Sequence, residues 1–249
     1  MTWDVRPTPP IGESMGTEPL PPGLAPPGVL VLAGPFGSGK TEIAINLAER
    51  WARDCPTYLA DLDVVTPYYR SRDVNAFLTG VGVHLLAPAG DAGTYDVPCL
   101  PQGFGSALGD ERSGLLIDVG GQPHGAGVLV NWREALRARE PRTCLVVNPR
   151  RPGASRAAEV AQLGEAIARA TGLPLTGLIA NGNLGAQTTV ADIAAGVRQA
   201  RELEGLLQAP TLAVCGGREL LGQCPKVADG LPVLGLTFHM RPPWAPAET

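Results

Sequence analysis

The sequence predicts an α/β protein whose mainly parallel sheet is covered by helices on both faces. Short apolar runs rich in Val, Leu and Ile alternate with helical patterns along most of the chain. Most of these runs are bounded by Gly, Pro, Asp or Asn, as is typical of strands buried on both faces. Alternating strands and helices predict βαβ units, in which ligands bind beyond the carboxyl ends of the strands.

The 249-residue chain is long enough for one such domain with a sizeable core. Residues 1–27 contain eight prolines and no periodicity, so we expect an extended or disordered tail there. A domain is expected over 28–240, followed by a short tail at 241–249. Strands are predicted at 28–33, 57–62, 83–87, 114–119, 143–147, 175–180, 210–214 and 232–237. Helices are predicted at 40–53, 71–79, 126–139, 154–171 and 188–207.

Composition excludes several classes of function. With 20 basic and 24 acidic residues, the net charge of −4 gives no strong signal for binding nucleic acid or a membrane. The five cysteines form no C-x-x-C pair, which favours reduced thiols over disulfides or a metal site. We find no signal peptide and no apolar run near the ~20 residues that span a bilayer. A cytoplasmic location is therefore expected.

The strongest motif is the stretch GPFGSGKT, which follows the first strand and opens the first helix. It fits G-x-x-x-x-G-K-[ST], whose backbone N–H groups surround phosphate oxygens at a helix N-terminus. Lysine supplies a compact charge for the β/γ-phosphates, which explains why an arginine-rich chain keeps one here. The threonine hydroxyl is a ligand for Mg²⁺. The predicted nucleotide-binding residues are Gly34, Gly37, Ser38, Gly39, Lys40 and Thr41, with Lys40 also catalytic and Thr41 also a metal ligand.

Carboxylates follow two other predicted strands. Asp118 ends an apolar strand and is expected to associate with Mg²⁺, and the Gly121 that follows lets a backbone N–H approach the γ-phosphate. Gln122 is a candidate for orienting an attacking water. Asp61 and Asp63 follow the second strand, and they lie beside the phosphate loop if that strand neighbours the first. Asp63 is the candidate catalytic carboxylate, whereas for Asp61 capping of a turn is an equal alternative.

Two further pairs have open roles. Arg70 and Arg72 either contact phosphates or form surface ion pairs. Asn181 and Asn183 follow another strand, where an amide side chain can pair with an adenine edge or simply stabilise a turn. Because no N-K-x-D motif occurs, nothing in the sequence supports selection of guanine.

The stretches GPFGSGKTEIAINLA, ADLDVVTPYYRSRD, IDVGGQPHGA and NGNLG together resemble the MinD/ParA-like P-loop ATPases. These belong to the signal-recognition/MinD/BioD (SIMIBI) class and the CobQ/CobB/MinD/ParA nucleotide-binding superfamily. The resemblance implies a three-layer P-loop NTPase fold with seven or eight mainly parallel strands, and ATP with Mg²⁺. It also implies a Mg²⁺-associated role for Asp118, a water-activating role for Asp63, and base contacts from Asn181 or Asn183.

The chain departs from that family at Pro35. Typical members carry a lysine there that reaches the partner's nucleotide, so the ATP-dependent homodimer that the resemblance implies lacks its usual residue. Arg70 or Arg72 is a candidate replacement. The family's iron–sulfur carriers use a C-x-x-C that this chain does not have.

Three functions fit these observations. The chain is expected to be a Mg²⁺-dependent, ATP-hydrolysing nucleotide switch that acts on an unknown protein partner. One alternative is an ATP-dependent small-molecule kinase or ligase, whose substrate would lie under the Gly- and Pro-rich segment 88–113. The other is a nucleotide-binding module with little hydrolysis.

Overall fold

The architecture is a single eight-stranded sheet in a computed structural model, which describes residues 19–62, 74–87, 100–223 and 225–240. The strand order is β3-β2-β4-β1-β5-β6-β7-β8, and every neighbouring pair is parallel. The strands are β1 (Gly28–Ala33), β2 (Thr57–Asp61), β3 (Val83–Leu86), β4 (Gly114–Asp118), β5 (Arg142–Val147), β6 (Gly177–Ala180), β7 (Thr211–Gly217) and β8 (Val233–Leu236). The predicted α/β class and parallel sheet are confirmed.

Helices connect the strands and cover both faces. They are α1 (Lys40–Trp51), α2 (Asn75–Gly80), α3 (Phe104–Gly109), α4 (Pro123–Ala126), α5 (Arg133–Ala138), α6 (Ala157–Thr171), α7 (Val190–Leu207) and α8 (Arg218–Gln223). Short 3₁₀ helices span Pro22–Leu24, Gly127–Trp132, Gly185–Gln187 and Pro225–Ala228. Among the described helices, none combines the length and apolar character that crossing a bilayer requires.

Alternation along the central strand β1 produces the three layers. Leu30 and Leu32 pack in a cluster with the apolar side chains of α1 and α2, whereas Val29 and Val31 pack with residues of α3 and α5 on the other face. Farther along the sheet, α6 and α7 cover β5, β6 and β7. Both faces of the sheet are therefore buried, which explains why the strands appear in the sequence as continuous apolar runs.

The strand order determines which loops meet at the site. β1 lies between β4 and β5, with Leu32 opposite Asp118 on one side and Cys144 on the other. β2 is separated from β1 by β4, so the condition under which Asp61 and Asp63 would lie beside the phosphate loop is not met. Asp61 instead lies opposite Asp118, at the carboxyl ends of β2 and β4.

Several segments differ from the sequence-based prediction, including α8, which was not predicted. The single helix expected over 126–139 is divided into α4, a 3₁₀ helix and α5, in a region that contains glycines and β-branched residues. The described part of segment 88–113 contains α3, whose Phe104 is buried against the sheet. Residues 19–27, assigned to the tail, include the fully buried Leu24, whose carbonyl accepts a 2.8 Å hydrogen bond from the Trp51 indole. The packed domain thus begins before Gly28.

Two polar residues of α1, Glu42 and Asn46, form hydrogen bonds with the segment 237–240 that follows β8. These contacts are named the C-terminal clamp. The Asn46 amide donates to the Thr237 carbonyl and accepts from the Thr237 N–H, both at 2.8 Å. Glu42 accepts from the N–H groups of His239 and Met240 at 2.7 and 3.1 Å. The helix that opens at the phosphate loop is therefore tied directly to residues 237–240.

Candidate functional site

The loop between β1 and α1 has the backbone of a phosphate-binding turn. Gly34, Gly37 and Gly39 have φ angles of 144°, 71° and 94°, a region that side chains disfavour. A Cβ at Gly34 would collide with the Val146 carbonyl, and one at Gly39 would collide with the Asn181 amide nitrogen. Gly39 is also the N-cap of α1, so the loop leads directly to the helix N-terminus. These three glycines are required by the loop geometry.

Lys40 is buried at the first position of α1, with 5% of its surface exposed. Its Nζ donates hydrogen bonds of 3.0 and 3.2 Å to the carbonyl oxygens of Gly34 and Pro35. The Lys40 side chain therefore turns back along the loop, and its ammonium group lies beside the first two residues of the loop. Ser38 is fully buried beside it, and its Oγ has no hydrogen-bond partner among the described residues.

Thr41 and Asp118 meet at the carboxyl end of the two central strands. The Thr41 Oγ1 donates a 2.6 Å hydrogen bond to Oδ2 of Asp118, which is fully buried. β4 places this carboxylate because it pairs with β1 in the register that sets Asp118 opposite Leu32. The structure thus brings together two side chains that are 77 residues apart in sequence. A hydroxyl and a carboxylate at a phosphate loop are the oxygen ligands that Mg²⁺ prefers.

The turn after β4 packs on the phosphate loop through Gly121. A Cβ on Gly121 would lie 2.8 Å from the Phe36 nitrogen and 3.2 Å from the Gly34 carbonyl oxygen, so only glycine fits without a shift. Gln122 follows at the start of α4, and its side chain is exposed. The glycine turn is therefore part of the site, whereas nothing in the described contacts holds the Gln122 amide in place.

Asp61 is buried at the carboxyl end of β2, adjacent to Asp118 in the sheet. Asp63, the candidate catalytic carboxylate, lies outside the described residues, as do Arg70 and Arg72. Their proposed roles stay predictions.

The two asparagines after β6 both form hydrogen bonds within the protein. The Asn181 Nδ2 donates a 2.6 Å hydrogen bond to the Ser38 carbonyl, so this amide fixes the phosphate loop. The Asn183 Oδ1 accepts from the Gly185 N–H at 2.6 Å and the Thr188 hydroxyl at 2.7 Å. That carboxamide oxygen therefore stabilises a turn, the alternative that the sequence analysis left open.

The sequence analysis missed the loop after β5. Asn148 is buried there, and its Nδ2 donates to the Asn183 carbonyl at 2.8 Å, while its Oδ1 accepts from the Arg150 N–H at 3.0 Å. Arg151 follows, with its side chain against Gly37. The signal that could have found them is polar residues directly after a buried strand, the same signal that selected Asp118 and Asn181.

Two titratable groups lie in the C-terminal clamp, close to the phosphate loop. Burial raises the pKa of Glu42 from 4.5 to about 7, although its bonds from the His239 and Met240 N–H groups act in the opposite direction. Burial, with a smaller effect of the nearby Arg218 charge, lowers the pKa of His239 to about 4. The ring of His239 also packs on Phe77, with 4.3 Å between ring centroids.

The cysteines and metal-ligating residues form no second site in the part of the chain that the structure describes. Cys144 and Cys215 are buried free thiols, and burial raises the pKa of the Cys144 thiol to about 12. Within residues 19–62, 74–87, 100–223 and 225–240, no group of three or more His, Cys, Asp or Glu is placed to hold a metal ion.

No protein-family model matches the chain, and none of the curated proteins matches it. Solved structures show some similarity to it. FtsY from Mycoplasma mycoides is 16% identical, with a TM-score of 0.49, over 74% of this chain and 58% of that one. The cell division protein FtsY from Thermotoga maritima is 18% identical, with a TM-score of 0.48, over 77% of this chain and 62% of that one.

The signal recognition particle 54 kDa protein from Aeropyrum pernix, solved in complex with GDP, is 21% identical. Its TM-score is 0.46, and the match covers 74% of this chain and 40% of that protein. The chain thus spans less than two thirds of the length of each of these structures. Similarity at this level concerns the fold alone. It does not distinguish the MinD/ParA branch, which stays a prediction.

Proposed function

We propose that the chain binds a nucleoside triphosphate together with Mg²⁺ at the loop 34–41 and hydrolyses it, acting as a nucleotide switch. The observation that carries this proposal is the 2.6 Å hydrogen bond between Thr41 and Asp118, at a glycine loop that also holds the buried Lys40. A chance G-x-x-x-x-G-K-[ST] match gives no reason for a carboxylate 77 residues away to meet the threonine.

Each residue has a definite task in this proposal. The backbone N–H groups of the loop bind phosphate oxygens, and the α1 N-terminus favours their negative charge. Lys40 exchanges its bonds to the Gly34 and Pro35 carbonyls for phosphate oxygens. Thr41 and Asp118 would hold Mg²⁺, which would supply positive charge to neutralise the phosphates. The Ser38 hydroxyl, buried and without a partner among the described residues, is a further group that suits a phosphate ligand.

Hydrolysis needs a group that positions the attacking water. We assign this role to Asp63, with Gln122 as a second candidate. For Asn181 and Asn183 the hydrogen bonds favour support of the loop and of the adjacent turn. Base contact by the same asparagines is the alternative, and it is compatible with the buried Asn181 Oδ1, which has no partner among the described residues.

For the base we propose adenine, because the chain has no N-K-x-D motif and resembles ATPases. The switch would act through the turn at Gly121, which touches Phe36 in the loop. Phe36 is 59% exposed, unusual for a large apolar residue, and it is available to a second copy of the chain or to another protein. An ATP-dependent homodimer without a lysine at position 35 therefore belongs to the proposal.

The deciding experiment is titration of the full chain with ATP and with GTP, each with Mg²⁺, followed by measurement of phosphate release. The test variant is Lys40→Met and the matched control is Lys226→Met, which removes the other, exposed lysine. We expect ATP to bind and to be hydrolysed, and Lys40→Met alone to abolish both. Equal binding of ATP by wild type and a folded Lys40→Met variant would overturn the site. Tighter binding of GTP would overturn the choice of ATP.

Light scattering in Mg²⁺ with ADP or a non-hydrolysable ATP analogue tests the homodimer. A dimer found only with the ATP analogue supports the switch. An unchanged mass in both states contradicts the homodimer and leaves another protein as the partner.

A further inference from the structure

Arg151, in the loop between β5 and α6, lies directly against the phosphate loop. A Cβ on Gly37 would be 3.4 Å from its Cδ and 3.6 Å from its Nε. This contact follows from the strand order, because β5 neighbours β1 and their carboxyl ends deliver both loops to the same edge of the sheet. The Arg151 side chain therefore lies within van der Waals distance of a Cβ at position 37.

The Arg151 guanidinium has a hydrogen-bond donor for which the described residues supply no acceptor. The Arg151 Nε is buried, and it has no hydrogen-bond partner in the described part of the chain. A buried donor without an acceptor is costly, and a bound ligand or an ordered water is what would complete it. The neighbouring Arg150 differs, since its Nε lies 2.7 Å from the Asp192 carboxylate.

The backbone that carries Arg151 is firmly held. Its N–H donates to the Asn148 carbonyl at 3.2 Å, and its own carbonyl accepts from the Ala154 N–H at 3.1 Å. The Ala154 carbonyl in turn accepts a 2.6 Å bond from the buried Gln199 side chain of α7. The backbone at Arg151 is therefore held by contacts outside the phosphate loop, including one from α7.

We propose that Arg151 is a phosphate-binding residue of the nucleotide site, acting from within the same chain. An arginine suits this role because its planar set of N–H donors matches phosphate oxygens, and its charge does not depend on pH in the working range. The inference deepens the proposed function and rests on it. Arg151 is thus a cationic side chain at the loop, in addition to Lys40, within the described residues. The sequence analysis had suggested Arg70 and Arg72 for contact with phosphates.

The test measures the affinity of the full chain for ATP, ADP, AMP and adenosine in Mg²⁺, for wild type and three variants. Arg151→Met removes the charge but keeps an unbranched side chain to pack on Gly37. Arg151→Lys keeps the charge but loses the planar donors. Arg156→Met is the matched control, because Arg156 lies in the same connection, is 79% exposed and pairs only with Glu159 among the described residues.

We expect Arg151→Met to weaken ATP binding by about 10- to 100-fold, the usual effect of losing a hydrogen bond to a charged group, and to leave adenosine binding unchanged. The slope of affinity against salt concentration should become shallower, which loss of packing alone would not cause. The nucleotide at which the loss first appears, AMP, ADP or ATP, identifies the phosphate contacted. Arg156→Met should match wild type throughout.

Three results would overturn the inference. These are ATP binding by Arg151→Met within twofold of wild type, an equal loss for adenosine and ATP, and an unchanged salt slope. If Arg151→Met does not fold, Arg151→Lys provides the test. Its affinity for ATP should still fall by at least about threefold, and its affinity for adenosine should not change. Failure of the proposed function looks different, because wild type itself would then bind neither ATP nor GTP.

Discussion

Single residues in the phosphate loop are constrained both by backbone conformation and by neighbours. Gly39 shows this most clearly, because its φ of 94° disfavours any side chain and its missing Cβ leaves room for the Asn181 amide. The same amide donates to the Ser38 carbonyl, so a side chain at position 39 would disturb the loop twice.

We therefore expect Gly39→Ala to lower the free energy of unfolding by about 1–3 kcal/mol and to weaken nucleotide binding. Denaturant titration and nucleotide titration measure the two effects. Gly80→Ala at the end of α2 is the control, because no heavy atom lies within 4 Å of its added Cβ. That variant should stay within about 0.5 kcal/mol of wild type. A Gly39→Ala protein with unchanged stability and affinity would contradict the loop geometry.

Glu42 provides a pH-dependent prediction at the same scale. Its folded-state pKa of about 7 exceeds the ordinary 4.5, so the folded state holds the proton more tightly than the unfolded state. The associated stability is fully present below pH 4.5 and is lost as the pH rises through 7. His239, with its lowered pKa of about 4, acts in the opposite direction over pH 4–6.5, so the two effects partly cancel in wild type.

The variant Glu42→Gln isolates the first effect, because it removes the titrating proton and keeps one oxygen acceptor for the clamp. We expect wild type to lose about 1–3 kcal/mol of stability relative to Glu42→Gln between pH 5 and pH 8. Urea unfolding at a series of pH values provides the measurement. A constant difference between the two proteins across this range would show that the Glu42 carboxyl is not held in its neutral form.

At the scale of elements, the strands and the long helices could be predicted because a strand buried on both faces and an amphipathic helix differ in local pattern. The clearest examples are β1, which is a continuous apolar run, and α6, whose buried residues recur at helical spacing. Local pattern could not predict which group an asparagine side chain would form a hydrogen bond with. Asn181 bonds to a residue 143 positions earlier, and no local pattern reveals whether an amide reaches a base or a loop.

The C-terminal clamp is likewise a contact between separate elements that no sequence pattern predicts. Asn46 is 1% exposed, and it satisfies both the N–H and the carbonyl of Thr237. Replacing it by alanine would remove the partner of two partly buried backbone groups. We expect Asn46→Ala to cost about 2–4 kcal/mol of unfolding free energy, measured by urea titration.

The exposed Asn75 in α2 supplies the control for this prediction, and Asn75→Ala should have little effect. Because the Thr237 N–H loses its acceptor in Asn46→Ala, hydrogen exchange of residues 237–240 should also increase in that variant. Equal stability of the two asparagine variants would mean that the clamp contributes nothing to the fold.

At the scale of the whole molecule, strand order decides which residues form the site, and strand order is a property of long-range pairing. The sequence placed carboxylates after β2 and β4 without showing which strand neighbours β1. The structure puts β4 there, so Asp118 meets Thr41 while Asp61 is one strand farther away. The same order brings the β5–α6 loop, with Arg151, to the other side of the phosphate loop.

Because the site is built on central elements of the core, a ligand bound there should stabilise the entire domain. ATP with Mg²⁺ at 100 times its Kd should add about 2.7 kcal/mol, which corresponds to a Tm increase of about 5–10 °C for a domain of this size. Replacing Mg²⁺ by EDTA should reduce that increase, since Thr41 and Asp118 would then hold no ion between them and the phosphates.

Two substitutions make this prediction specific to the Thr41 hydroxyl, which bonds to Asp118 at 2.6 Å. Thr41→Ser keeps the hydroxyl, so its Tm should respond to ATP with Mg²⁺ as wild type does. Thr41→Val keeps the shape and lacks the hydroxyl, so its Tm should respond equally weakly with Mg²⁺ and with EDTA. Scanning calorimetry of the three proteins measures the response. A Thr41→Val protein that retains the full Mg²⁺-dependent increase would show that the ion is held elsewhere.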